Sequence, residues 1–171
     1  ALIGDNNPDW VFFASACHAN GGMSLGVYRD TLDDEVGYLV KSAKVKFAYA
    51  EDQEQVDKLI NVQKKLKTKI KVIYDDPRGL EKLKNPNVIN MKDLASVGKK
   101  QLDKNNKLYE NLINKISGET VSVLCTTSGT TSNPKLAMLP ANKFINHISN
   151  YLKVDPKSHL DEYVSVLPFP W

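Results

Sequence analysis

Several residue types are scarce in this chain of 171 residues, and each scarcity excludes a class of protein. Only Arg29 and Arg78 among the 23 basic residues are arginines, and the net charge is +3. A nucleic-acid-binding surface needs a stronger basic excess, so we expect no nucleic-acid partner. No stretch approaches the ~20 apolar residues of a membrane span, and no basic leader segment is visible. The sequence therefore predicts a cytoplasmic protein, with peripheral association at the inner membrane face left open.

Cysteine and histidine are also scarce, and neither forms a recognisable site. Cys17 and Cys125 lie in apolar runs without a C-x-x-C pair, which indicates buried, reduced thiols. The spacing of His18, His147 and His159 is not that of metal ligands. We therefore predict no metal-ligating residue within this chain.

The most informative stretch that is present is a hydroxyl-rich run at residues 126–135, TTSGTTSNPK. It follows residues 121–125, an apolar run typical of a buried strand. Backbone N–H groups, short hydroxyls and the cation of Lys135 can all bind phosphate oxygens, and Gly129 lets the backbone approach a ligand closely. Such a run could also be a solvated linker. Its order, with hydroxyls around one glycine and then Pro134 and Lys135, favours a phosphate-binding loop.

The run differs from the Walker-type loop, G-x-x-x-x-G-K-[ST], because Pro134 stands where that motif has its second glycine. The apolar residues 136–139 that follow indicate a second strand rather than a helix. The sequence therefore predicts that the loop joins two strands.

Strand and helix patterns alternate along the whole chain. We predict strands at 1–4, 23–28, 45–50, 70–74, 88–89, 121–125, 136–139 and 163–167. We predict helices at 8–19, 51–67, 79–84, 93–117 and 142–152, and a further helix that begins after a cap at Thr31. This alternation predicts an α/β fold with a mainly parallel sheet flanked by helices. No repeat or linker marks a boundary, so residues 1–171 are interpreted as a single partial domain.

Residues 127–135 resemble the phosphate-binding loop of the adenylate-forming (AMP-binding) superfamily, which includes acyl-CoA synthetases, luciferases and peptide-synthetase adenylation domains. The pattern there is roughly Thr-Ser-Gly-Thr-Thr-Gly-x-Pro-Lys-Gly. Here Ser132 replaces the more common glycine, and Leu136 replaces the last glycine.

Two further segments resemble long-chain fatty acyl-CoA synthetases. Residues 3–10, IGDNNPDW, are similar to an Ile-Gly-x-Asn-x-x-x-Trp stretch near the start of those enzymes. Residues 163–168, YVSVLP, resemble the segment that runs into the acid pocket. Trp171 stands where that family often has His, and is either a substrate-pocket residue or a packing residue. The resemblance implies a truncated, Rossmann-like N-terminal subdomain of an adenylate-forming enzyme, with the C-terminal domain absent.

The resemblance also implies an activity. The parent enzyme would join a fatty acid to CoA through an acyl-adenylate, using ATP and Mg²⁺ and releasing AMP and pyrophosphate. Lys135 would neutralise phosphate charge or shape the loop through an ion pair with a carboxylate. The isolated chain is expected to contain no catalytic residue and to be inactive, because the catalytic Lys and the other ATP contacts of the family lie further along the sequence. The residues implied to bind the ATP phosphates are Thr127, Ser128, Gly129, Thr130, Thr131 and Lys135.

Two other functions remain open. One is an adenylate-forming ligase for an aryl, amino or other acid. The other is a non-catalytic α/β nucleotide-binding or interaction module. Apolar surface left uncovered in such a chain could also drive formation of a homodimer.

Overall fold

The computed structural model describes residues 1–127 and 134–170. Helices and strands alternate through them as predicted. In chain order they are β1 (Leu2–Ile3), α1 (Pro8–Ala19), β2 (Ser24–Val27), α2 (Asp33–Ser42), β3 (Phe47–Ala50), α3 (Gln53–Leu66), β4 (Lys71–Tyr74), β5 (Val88–Asn90), α4 (Met91–Lys104), α5 (Leu108–Ile113), β6 (Val121–Thr127), β7 (Lys135–Pro140) and α6 (Ala141–Val154).

The strands form a seven-stranded sheet in the order β5-β4-β3-β1-β2-β6-β7. Every neighbouring pair is parallel except β6 and β7, which are antiparallel. The predicted α/β class with a mainly parallel sheet is therefore confirmed. None of the helices described here is long and apolar enough to cross a bilayer.

Local capping explains why α1 and α3 begin where they do. The Asn7 side chain accepts a hydrogen bond from the Trp10 backbone N–H at 2.8 Å, and Pro8 occupies the first helical position. The Asp52 side chain accepts in the same way from the N–H of Gln55 at 3.1 Å. Both side chains satisfy N–H groups that the helix itself leaves without a partner.

Three helix predictions need correction. Thr31 is not a cap, since α2 begins at Asp33 after Leu32, which makes no side-chain capping bond. Residues 79–84 form turns rather than a helix, because Gly79 has a φ of +78°, which no right-handed helix contains. The long helix expected at 93–117 is divided into α4 and α5.

The strand predicted at 163–167 is also wrong, because these residues pair with no strand in the described part of the chain. A strand needs the backbone of a neighbour to satisfy its carbonyl groups. Here the carbonyls of Ser165 and Leu167 accept hydrogen bonds from the side chain of Asn6 instead.

The core lies on both faces of the sheet but is much larger on one. Helices α2 and α3 cover the face that carries Ile3, Leu25 and Ala48. Helix α1 covers the opposite face, where Leu2 and Tyr49 are fully buried against Ala14. No residue of α4, α5 or α6 is buried. The carboxyl ends of the parallel strands lie together at one end of the sheet.

Candidate phosphate-binding site

Strands β6 and β7 carry the two ends of the predicted phosphate loop. Strand β6 runs parallel to β2 and ends at Thr127, where β7 pairs Lys135 with it. The Thr127 hydroxyl donates to the Lys135 carbonyl oxygen at 3.4 Å. The prediction that two strands flank the loop is confirmed, and the two ends of the loop face each other.

The rest of the predicted site lies outside the described residues. These residues are four members of the predicted loop and the predicted substrate-pocket residue. They are Ser128, Gly129, Thr130, Thr131 and Trp171. Their roles stay predictions from the sequence.

Helix α2 anchors the exit of the loop. The hydroxyl of Tyr38 donates to the carbonyl oxygen of Pro134 at 3.2 Å. The Lys135 side chain is exposed, and in residues 1–127 and 134–170 no carboxylate oxygen lies within 4.0 Å of its Nζ atom. The described chain therefore offers no ion-pair partner through which Lys135 would shape the loop.

A charged cluster lies at the carboxyl ends of β1, β2 and β3. The Arg29 guanidinium is 2.5 Å from an Asp5 carboxylate oxygen, 3.4 Å from one of Asp52 and 3.8 Å from one of Glu51. The hydrogen bond to Asp5, with the nearby carboxylates, raises the pKa of Arg29 above its usual value despite partial burial. The backbone N–H of Asp5 donates to Glu51 at 2.7 Å. This cluster holds the ends of three strands together.

Sequence reasoning missed the role of Arg29, although a signal was present. Each of the three strands is followed by a charged residue within two positions, and parallel strands end at the same end of a sheet. Polar residues at those positions are therefore brought together by the topology alone.

A second polar group lies beside β3 and β4. The pKa of the Asp75 carboxyl is raised, first by burial and then by its hydrogen bond with the Asp9 side chain. Burial also raises the pKa of Tyr49, whose hydroxyl donates to Asn7 at 3.1 Å. These contacts tie α1 to the carboxyl ends of β3 and β4.

The described residues bring no three His, Cys, Asp or Glu side chains together as a metal site.

Comparison with known proteins shows which family the chain belongs to. The family model described as AMP-binding enzyme matches residues 1–171, the whole chain. The chain belongs to the AMP-binding enzyme family. The resemblance drawn from residues 127–135 is thereby confirmed at the level of the family.

Curated relatives of this family member are long-chain-fatty-acid–CoA ligases. The chain is 29% identical over 140 residues to the ligase ACSBG1 of Rattus norvegicus, covering 81% of this chain and 19% of the relative. It is 28% identical over 179 residues to ligase 1 of Cavia porcellus, covering 98% of this chain and 24% of the relative. The chain thus spans about a fifth to a quarter of the length of these relatives.

The fold also matches solved structures. A protein from Rhodopseudomonas palustris assigned as a long-chain-fatty-acid CoA ligase superposes with a TM-score of 0.70 at 12% identity. The match covers 99% of this chain and 38% of that chain. At this identity the likeness shows the shared fold alone.

Proposed function

We propose that this family member is the phosphate-binding part of an ATP-dependent acyl-CoA ligase. The observation that carries the proposal is the pairing of Thr127 with Lys135 at the carboxyl end of β6, in a chain that matches the AMP-binding family throughout. The curated relatives favour a long-chain fatty acid as the substrate, because that class stands in their names. Residues 1–171 would form part of the AMP-binding domain, with the C-terminal domain supplied by a longer protein.

In this proposal the loop binds the β- and γ-phosphates of ATP. Backbone N–H groups and hydroxyls of residues 127–131 donate to phosphate oxygens, and the Lys135 ammonium opposes the negative charge that collects on the departing pyrophosphate. Magnesium bound to the phosphates would add further charge neutralisation. The attacking group is the carboxylate of the fatty acid, which bonds to the α-phosphorus and displaces pyrophosphate. The CoA thiol then displaces AMP and forms the thioester.

The proposal predicts binding by this chain without turnover. Its relatives are four to five times longer than the matched region, so most of the surface that would hold adenine, ribose and CoA belongs to other segments. We expect weak binding of Mg-pyrophosphate and Mg-ATP, and no thioester formation.

An NMR titration of the ¹⁵N-labelled chain with Mg-pyrophosphate, and separately with Mg-ATP, tests the site. We expect shifts centred on the amides of residues 127–131 and on Lys135. The Lys135→Ala variant should weaken binding several-fold, because one phosphate-facing charge is lost. The control is Lys143→Ala, which removes an exposed lysine on α6. Shifts that avoid the loop, or equal weakening by both variants, would contradict the proposal.

The catalytic part of the proposal is tested in the longer ligase that contains this chain. There Lys135→Ala should slow ATP–pyrophosphate exchange by ~100- to 1,000-fold, the usual effect of removing one well-placed donor to a transition state. Binding of the fatty acid should change little. A panel of long-chain, aryl and amino acids in the same assay separates the proposed substrate class from the alternatives.

A further inference from the structure

One asparagine side chain holds a segment that lies about 160 residues further along the chain. The Asn6 Nδ2 group donates to the carbonyl oxygens of Leu167 at 2.8 Å and Ser165 at 3.2 Å, and to the Ser165 hydroxyl at 2.9 Å. Its Oδ1 atom accepts from the backbone N–H of Phe169 at 2.8 Å. The amide thus satisfies alternate backbone groups, as a neighbouring strand would.

Two contacts continue this arrangement toward the sheet. The Phe169 ring lies 5.1 Å from the Trp10 ring, centroid to centroid, at an interplanar angle of 54°. A Cβ atom placed on Gly26 would lie 2.7 Å from the Cα atom of Pro170, which is closer than atoms can approach. Glycine inside a strand commonly marks such an approach by another backbone.

The register of the sheet places this segment near Thr127, the last residue of β6. Leu25 of β2 lies beside Leu124 of β6, so the continued register puts Gly26 beside Cys125, two residues before Thr127. With strands about 5 Å apart and a rise of about 3.3 Å per residue, Gly26 and Thr127 are separated by roughly 8 Å between Cα atoms. Pro170, packed over Gly26, therefore lies beside the strand that leads into the loop.

We propose that Asn6 and Trp10 form a clamp that positions residues 165–170 beside the end of β6, as one side of the substrate-binding site. The role of substrate positioning rests on the proposed ligase function. Asn6 is a positioning residue in this scheme, because it acts through the backbone of residues 165–169. The clamp also accounts for the absence of a strand at 163–167, since an amide side chain replaces the partner strand.

The first experiment measures the clamp itself by amide hydrogen exchange in this chain. Asn6→Ala removes all four hydrogen bonds, and we expect exchange of the Phe169 amide to accelerate roughly five- to tenfold, the usual worth of one hydrogen bond. The control is Asn7→Ala, which removes the α1 cap and the Tyr49 contact but no bond to the segment. Equal protection of Phe169 in wild type and Asn6→Ala would overturn the clamp.

A second pair of variants tests the contact between Pro170 and β2 while Asn6 is unchanged. Gly26→Ala should displace Pro170 and accelerate exchange at Phe169, because the new methyl group occupies the position of the Pro170 backbone. Gly98→Ala is the matched control, since a Cβ on Gly98 of α4 meets no atom within 4 Å. Failure of Gly26→Ala to change exchange at residues 165–170 would show that the segment does not rest on β2.

The positioning role is tested in the longer ligase that contains this chain. Asn6→Ala should raise KM for the acid about tenfold or lower kcat correspondingly, while KM for Mg-ATP stays within about twofold. Asn6→Gln, which keeps the amide group, should recover part of the loss. A variant with faster exchange but unchanged acid kinetics would show a clamp that positions no substrate, and would overturn this role. A wild-type ligase without adenylation activity would instead refute the proposed function. The exchange rates of residues 165–170 would still test whether Asn6 holds this segment.

Discussion

Helices α3 and α6 are equally long, at 14 residues each, and both carry apolar side chains along one side. The apolar side of α3 is buried, with Val56 and Leu59 fully inaccessible. On α6 no residue is buried, and its larger apolar side chains are 40–58% exposed. They are Phe144, Ile145, Ile148, Tyr151 and Leu152.

The difference shows that an amphipathic pattern predicts which side of a helix favours burial, but not whether burial occurs. Helix α3 packs against α2, β3 and β4 in the middle of the parallel part of the sheet. Helix α6 contacts β7, the strand at the edge, and β6. Position in the topology therefore separates two helices that have similar sequence patterns.

The largest expected effect is the contrast between two leucine deletions. Leu59→Ala should reduce the free energy of unfolding by about 2–5 kcal/mol, because the side chain is fully buried on α3. Leu152→Ala, on the exposed side of α6, should cost less than about 1 kcal/mol. Urea unfolding measures both through the transition midpoint at an unchanged m-value. Equal costs would show that the apolar side of α6 is covered in solution, as the predicted homodimer would cover it.

A second contrast compares two glutamines on α3. Gln55 is fully buried, and its side-chain amide has no hydrogen-bond partner among the residues that the structure describes. Gln55→Met should therefore raise the free energy of unfolding by about 1–3 kcal/mol, since a buried unsatisfied amide is replaced by an apolar group. Gln63 accepts from the Ile70 N–H at 2.8 Å, so Gln63→Met should lower it. If both substitutions lowered the free energy of unfolding, the Gln55 amide would be hydrogen-bonded in solution.

Capping supplies a smaller difference between the two helices. Asp52 caps α3, whereas Pro140, at the start of α6, offers no side-chain cap. Asp52→Ala should cost about 1 kcal/mol, and Asp52→Asn should recover most of it, because asparagine is an equally good cap. Chemical unfolding of the two variants separates the cap from the charge contact with Arg29. Equal losses would assign the effect to that ion pair instead.

The smallest effect concerns the contact between α1 and β2. His18 bonds the Ser24 hydroxyl at 2.9 Å, and burial lowers the pKa of His18 below its usual value. The unfolded chain therefore takes up a proton first as the pH falls below about 6.5. The contribution of His18 to stability should be complete above that pH and decline below it. Unfolding midpoints at pH 7.5 and 5.5 should differ less in His18→Gln than in wild type, while exposed His147→Gln should match wild type.

The bounds of the helices and strands show how far local sequence patterns can predict this fold. The bounds of α1 were predicted to the residue, because Asn7, Pro8 and the glycines after Asn20 are local start and stop signals. The errors at Thr31 and at residues 79–84 came from a competing cap position and from the left-handed φ of Gly79. In the candidate site, the strands on both sides of the loop were predictable from apolar runs. The Tyr38–Pro134 bond and the Arg29 cluster were not, since each joins elements that are distant in sequence.

The order of residues along the chain by itself determined the alternation of strands and helices, the caps of α1 and the family to which the loop belongs. These features depend on neighbours within a few residues, so a linear pattern contains them. The tertiary structure alone decided that α3 is buried and α6 is not, and that Asn6 rather than a strand satisfies residues 165–169. Burial and long-range hydrogen bonds depend on which elements the sheet order brings together, and that order becomes visible only after the chain has folded.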